Sequence, residues 1–88
     1  MKRRRPNLPF KLVMVEWEDS ARPTSAWQWA DEYDVPEIVE CVSVGYLIAK
    51  TDHAIAIAAN LGDVTQERLQ ASGVIHIPAC SVRRIIDL

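Results

Sequence analysis

The sequence predicts a mainly β fold that is organised around the hairpin Cys41–Asn60. The first arm of this hairpin is rich in β-branched and aromatic residues, and the second arm alternates isoleucine with alanine. A polar turn, Lys50-Thr51-Asp52-His53, separates the two arms, and period-2 patterning on both sides of such a turn is typical of a β-hairpin. Because an isolated hairpin is not stable in water, other strands must pack on it or pair with its edges.

Length and charge predict one small domain, residues 10–88, behind a basic tail, residues 1–9. With 49% hydrophobic residues, an 88-residue chain is expected to fold without disulfides. The tail carries charge and two prolines but no apolar period, so we expect disorder at least through Arg5. Since no apolar stretch follows the basic cluster and no run of about 18 apolar residues exists, we expect a cytoplasmic protein with no membrane segment.

The first strand is predicted at Phe10–Trp17, with apolar residues on both faces. Two apolar faces indicate either burial on both sides or an oligomer contact on the outer side, and we expect a homo-oligomer. The connection Glu18–Pro36 is long and leaves two alternatives open. Ser25 could cap a short helix over Ala26–Tyr33, or Ala26–Ala30 could form a short strand.

The second and third strands are predicted at Glu37–Thr51 and Ala54–Asn60. Ser43 and Gly45 interrupt the apolar run of the second strand, and a glycine inside a strand often marks a sharp bend or a bulge. A long strand that bends at a glycine can join both halves of a small barrel. We therefore expect a side chain at Gly45 to clash with the neighbouring backbone.

The remainder of the chain predicts two further strands. Leu61–Ser72 is polar, and Thr65–Ala71 within it could form one helical turn or a solvated loop. The fourth strand is predicted at Gly73–Ile77, followed by a single 3₁₀ turn at Ala79-Cys80-Ser81. Val82–Leu88 is interpreted as the last strand, although the spacing of its apolar residues also fits a short C-terminal helix.

The sequence contains no recognisable catalytic pattern. It has no nucleophile-elbow motif and no glycine-rich phosphate loop, and His53 and His76 lack the spacing of a metal-binding helix. Cys41 and Cys80 lie far apart within apolar runs, and we interpret them as two buried free thiols, with a disulfide as the alternative. We therefore expect a non-enzymatic protein without a metal or cofactor, and a small hydrolase is the weakest alternative.

Aromatic and acidic residues cluster around the long connection. All three tryptophans of the chain lie within seventeen residues that also hold one tyrosine and several carboxylates. Tryptophan and tyrosine dominate the energetics of interfaces, because large rigid rings bury much area at low entropic cost. Some of these rings could instead fill the core. The residues predicted to bind a ligand or partner are Trp17, Asp19, Arg22, Trp27, Trp29 and Tyr33.

The charge distribution weighs against general nucleic-acid binding. The net charge is −2, but without the basic cluster Lys2, Arg3, Arg4 and Arg5 the chain has six basic and twelve acidic residues. An acidic body repels phosphates, whose attraction supplies most non-specific affinity for nucleic acids. An electrostatic arm made of these four tail residues is nevertheless the alternative binding site for nucleic acid.

The order of these motifs resembles small SH3-like and Sm-like barrels. The resemblance rests on Val13–Trp17, Ser43–Ile48, Asp52, Ile75–Pro78 and Val82–Ile86. It implies a five-stranded, strongly bent antiparallel sheet that closes with a 3₁₀ turn before the last strand. Gly45 and Asp52 are similar in spacing to the first Sm motif, whereas the second Sm motif has no match in this chain.

The start Trp17-Glu18-Asp19-Ser20 and the segment SVGYLI also resemble small proteins of bacteriophages and prophages. This resemblance covers about residues 12–88 and implies a genomic setting in a bacterial host. We expect a non-catalytic counter-defence binding protein that sequesters or blocks a host factor or a small, nucleotide-like signalling ligand. An Sm-like nucleic-acid-binding protein is the alternative.

Overall fold

The structure is a computed structural model that describes residues 7–21, 23, 25–33 and 35–88. All five strands belong to one antiparallel sheet with the order β4-β3-β2-β1-β5, which confirms the mainly β prediction. Two 3₁₀ turns interrupt the connections, and no α-helix is found in the described ranges. The strands are β1 (Leu12–Ser20), β2 (Ile38–Lys50), β3 (Ala54–Gly62), β4 (Gln70–Pro78) and β5 (Val82–Asp87), and the 3₁₀ turns are Ala30–Glu32 and Ala79–Ser81.

Strand β2 joins the two halves of the sheet. Its residues 38–46 pair with β1, whereas its residues 46–50 pair with β3. At the junction, the backbone of Gly45 approaches β3 so closely that a Cβ atom would lie 2.8 Å from the carbonyl oxygen of Ala58. The predicted steric requirement for glycine at this position is therefore confirmed.

The hairpin turn between β2 and β3 is also found as predicted. The Thr51 N–H donates to the Ala54 carbonyl at 2.9 Å, and the Thr51 hydroxyl accepts the N–H groups of His53 and Ala54 at 3.2 and 3.1 Å. A threonine side chain thus satisfies the backbone donors of the loop, as serine and threonine commonly do in turns.

The sheet is open in the described part of the chain. β4 pairs with β3 and β5 pairs with β1, and no pairing joins β4 to β5. The structure therefore shows five antiparallel strands in one sheet with two edge strands.

The core lies on one face of this sheet. Its fully or almost fully buried side chains come from three strands, and Trp17, Leu47, Val82 and Ile85 pack against them. Burial of a large aliphatic side chain stabilises a fold by roughly 1.5–3 kcal/mol, so this cluster is the main source of stability. Its members are Val13, Val15, Ile55, Ile57 and Ile77.

On the opposite face of β1 and β2, several apolar side chains are not covered. Leu12, Val42 and Val44 are 38%, 64% and 54% exposed. The prediction that β1 has two apolar faces is confirmed, and the structure separates them into one core face and one exposed face.

The two predicted connections differ from the structure. β3 extends to Gly62 and β4 begins at Gln70, so the connection between them is shorter than predicted and contains no helical turn. In the long connection, neither the helix nor the strand predicted from Ala26 forms, and only the 3₁₀ turn at Ala30–Glu32 is present. A helix there would have no face to pack on the sheet, and short helices are marginal without such packing.

The last strand and the 3₁₀ turn before it are confirmed. Glu16 pairs with Arg84 but Trp17 pairs with Val82, so Arg83 is an extra residue that forms a β-bulge in β5. The bulge explains why Val82 and Ile85, three residues apart, both face the core.

The cysteines are both free, as predicted, but the predicted burial is wrong: Cys41 is half-buried and Cys80 is exposed. Cys80 lies in the 3₁₀ turn rather than in an apolar strand, which explains its exposure.

Candidate functional site

The long connection leaves the sheet at the end of β1 and returns at the start of β2. Ser20 and Ile38 pair across this neck, so residues 21–37 form a loop whose two ends are adjacent. Every described residue from Ser25 to Glu40 is exposed, which means that this part of the chain buries none of its side chains against the sheet. We call residues 25–33 the aromatic loop.

The aromatic loop presents three large rings to solvent. Trp27, Trp29 and Tyr33 are 102%, 78% and 54% exposed. The 3₁₀ turn sets part of their spacing, because the Glu32 N–H donates to the Trp29 carbonyl at 3.1 Å. Trp27 and Tyr33 line one open cleft within the loop, together with Pro23, Ser25, Ala26, Gln28 and Ala30.

Trp17 has a different environment from the other two tryptophans. It lies in β1, packs against the core cluster, and donates its indole N–H to the Ser43 hydroxyl at 3.0 Å. A partly buried indole whose polar group is satisfied is typical of a structural tryptophan. The structure therefore places Trp17 apart from the aromatic loop, in the sheet that carries the loop.

The remaining predicted site residues lie at the neck or outside the described residues. Asp19 is exposed at the neck of the loop, where its carboxylate accepts the backbone N–H of Ser20 at 2.8 Å. Arg22 lies outside the described residues, and so does the predicted nucleic-acid arm of Lys2, Arg3, Arg4 and Arg5. The tail that was predicted to be disordered through Arg5 likewise falls outside them.

A second cleft lies beside the neck, between β1, β2 and β5, and the sequence did not predict it. Glu16 binds Arg84 with two hydrogen bonds of 2.8 and 3.2 Å, and Glu18 binds Arg83. The Arg84 guanidinium lowers the pKa of Glu16, and the two carboxylates raise the pKa of Arg83 and of Arg84 through their hydrogen bonds. The lining residues are Glu16, Trp17, Glu18, Glu40, Cys41, Val42 and Arg83.

The charged side chains at this cleft form ion pairs between β1 and β5. The sequence signals of these ion pairs were two glutamates spaced two apart on β1, Glu16 and Glu18, and two adjacent arginines on β5, Arg83 and Arg84. They could be interpreted only once the register of the two strands was known.

The histidines and cysteines do not form a metal site. Among the described residues there is no group of three or more His, Cys, Asp or Glu side chains that could hold a metal ion. His53 contributes its backbone carbonyl, which accepts the Ala79 N–H at 2.8 Å and so connects the β2–β3 turn to the second 3₁₀ turn. No helix in the described ranges is long and apolar enough to cross a membrane.

Comparison of the chain with protein-family models, with curated proteins and with solved structures finds no match. The function is therefore inferred from the loop, the clefts and the charge distribution.

Proposed function

We propose that this chain is a non-catalytic binding protein whose aromatic loop contacts a macromolecular partner. One observation carries the proposal: Trp27, Trp29 and Tyr33 are all more than half exposed, on a loop in which no described residue is buried. Rings this exposed contribute little buried area to the fold. The rings would contribute binding free energy when a partner buries them.

The expected contribution of such rings is large. Interface residues that cost more than about 2 kcal/mol when truncated to alanine are enriched in tryptophan, tyrosine and arginine. A small-molecule site usually encloses most of its ligand within a formed pocket. The clefts of the aromatic loop are open, and two of its rings protrude, so a host protein factor fits this surface better than a small, nucleotide-like ligand.

The setting we propose is that of a bacteriophage or prophage protein that sequesters or blocks a host factor in the bacterial cytoplasm. The start Trp17-Glu18-Asp19-Ser20 and the segment SVGYLI support this setting. We also propose that the open sheet is related to SH3-like and Sm-like barrels. The strand order, the junction at Gly45 and the 3₁₀ turn before β5 support that relationship.

We further propose that the chain forms a homo-oligomer. The strands β4 and β5 each pair on one side only, and unpaired edges are usually covered or paired in native proteins. The exposed apolar face around Val42 and Val44, on the middle strand of the sheet, supplies a second surface that another copy could cover. Light scattering across micromolar concentrations should detect a species larger than 9.9 kDa, and a constant mass of 9.9 kDa would refute this part of the proposal.

The partner-binding proposal is tested by affinity capture from extracts of a bacterial host, with the full chain as bait and mass spectrometry as the readout. The double variant Trp27→Ala/Trp29→Ala should lose a protein that the wild type retains. Gln66→Ala/Leu88→Ala is the matched control, because it truncates two exposed side chains that lie outside both the aromatic loop and the apolar face around Val42 and Val44. Equal retention by the wild type and the tryptophan variant would show that the aromatic loop is not the binding surface.

Nucleic acid is the second candidate ligand, because exposed rings also provide stacking faces for unpaired bases. The same bait should then retain nucleic acid, with an affinity that falls steeply as salt rises. A nuclease-sensitive capture that the tryptophan substitutions abolish would favour this candidate over a protein partner.

A further inference from the structure

The aromatic loop and its neck carry a strong excess of negative charge. Between Glu18 and Glu40 the sequence has seven acidic residues and one basic residue, Arg22. Glu18 is paired with Arg83, but no described residue forms an ion pair with Asp31, Glu32, Glu37 or Glu40. The exposed rings therefore lie in a stretch of chain whose carboxylates are not neutralised by ion pairs within the described residues.

Two like charges face each other at the neck. Glu18 and Glu40 are direct cross-strand partners, an arrangement that destabilises a strand pair. Arg83 relieves part of the repulsion through Glu18, and Glu40 stays exposed on the same side of the neck. A cationic group close to Glu40 would relieve the remaining repulsion between the two carboxylates.

We propose that the partner of the aromatic loop presents an arginine-rich protein surface. This inference rests on the proposed function, and it adds the chemistry of the partner. Exposed indole faces attract guanidinium groups through cation–π contacts, and neighbouring carboxylates accept their hydrogen bonds in a bidentate geometry. Arginine satisfies both requirements, because its planar group stacks on a ring and still donates in the plane.

The same charges disfavour nucleic acid, which is the competing ligand. A nucleic-acid strand would bring its phosphates against Asp31, Glu32 and Glu37, all of them exposed around the rings. Repulsion between the phosphates and these carboxylates opposes stacking of a base on Trp27 or Trp29. A protein groove that binds phosphates is positively charged, and the negatively charged loop complements it. The loop would therefore occupy such a groove in place of a nucleic acid.

Three probes test the proposal on the full chain: a short arginine-rich peptide, its lysine analogue of equal charge, and a single-stranded DNA oligonucleotide. Tryptophan fluorescence at low salt reports binding. We expect the arginine peptide to bind, its affinity to fall as salt rises, and the lysine peptide to bind several-fold more weakly, because lysine cannot stack as a plane. Equal binding of the two peptides, or tighter binding of the oligonucleotide, would overturn the proposal.

Two matched charge variants locate the site. Asp31→Asn/Glu32→Gln/Glu37→Gln removes three charges beside the rings, and Asp52→Asn/Asp63→Asn/Glu67→Gln removes three charges from the two other loops. The first variant should weaken the arginine peptide about tenfold or more, and the second should leave its affinity within about twofold. Equal weakening by both variants would show that only the overall negative charge matters, and would overturn the proposal.

The two proposals fail in distinguishable ways. If Trp27→Ala/Trp29→Ala abolishes capture of the natural partner while the charge variant does not, the loop is the binding surface and the arginine-rich partner is wrong. If neither variant changes capture, the loop itself is not the binding surface and both proposals are wrong.

Discussion

Replacement of Gly45 tests how the two halves of the sheet are joined. A Cβ atom on Gly45 would lie 2.8 Å from the Ala58 carbonyl oxygen and 3.3 Å from both the Ala58 carbonyl carbon and the Ile57 Cβ. These atoms cannot easily move away from the added Cβ. Ala58 is fully buried, Ile57 is 2% exposed, and β3 is paired with β2 on one side and β4 on the other.

Relief of this clash requires β2 and β3 to separate by several tenths of an ångström at the most buried part of the sheet. Overpacking of a core costs roughly 1–3 kcal/mol, so we expect Gly45→Ala to cost about 2 kcal/mol and Gly45→Val to cost more. A loss of about 2 kcal/mol lowers the melting temperature of a domain of this size by roughly 8–16 °C.

Gly62→Ala provides the matched control for this measurement. A Cβ there would meet only the Gln70 Cβ at 3.9 Å, which is an ordinary van der Waals distance, and the backbone is not left-handed. Thermal and urea denaturation should therefore show a clear loss for Gly45→Ala and a small change for Gly62→Ala. If Gly45→Ala melted within about 2 °C of the wild type, the close approach of β2 and β3 would not be a rigid feature of the fold.

Two further predictions concern the tryptophans and the ion pairs. Acrylamide, a neutral quencher that the acidic loop does not repel, should quench the fluorescence of Trp27 and Trp29 more than that of Trp17, and equal protection of all three indoles would contradict this. In denaturation experiments, Trp17→Ala should cost about 2–3 kcal/mol and Trp27→Ala less than about 0.5 kcal/mol. Because Arg84 lowers the pKa of Glu16 in the folded state, the ion pair should stabilise the protein above the unfolded pKa of about 4.5 and lose its effect as the pH falls through the lower folded value. Glu16→Gln should therefore flatten the acid limb of the stability profile, and an unchanged profile would show that the pair is not formed in solution.

The sequence was most informative where local pattern and tertiary burial agree. The period-2 alternation in β1 is enough to separate Val13 and Val15 from Leu12 and Met14, and the core uses that separation. The same holds for the hairpin turn, whose polar residues satisfy their own backbone groups. The turn depends on interactions between residues close in the chain, and the alternation of β1 follows from strand geometry, in which successive side chains point to opposite faces.

Features that depend on pairing between distant strands were not predictable in the same way. The helix-like spacing of Val82 and Ile85 results from a bulge at Arg83, which exists only because β5 pairs with β1. The charged cleft beside the neck likewise needs the register that places Arg84 opposite Glu16. Local pattern alone does not distinguish the bulge in β5 from a short helix. It also does not distinguish the charged cleft from charges that are simply solvated.

The aromatic cluster shows the division most clearly. By itself, the sequence determined that three tryptophans and many carboxylates lie in one stretch, that the body is acidic, and that most of the chain is β-structure. Only the tertiary structure decided which ring belongs to the core: Trp17 packs on the core cluster and donates to Ser43, whereas Trp27 and Trp29 lie in solvent. The physical reason is that burial depends on what the rest of the chain brings opposite a residue, and a small core that already holds one indole has no room for the other two.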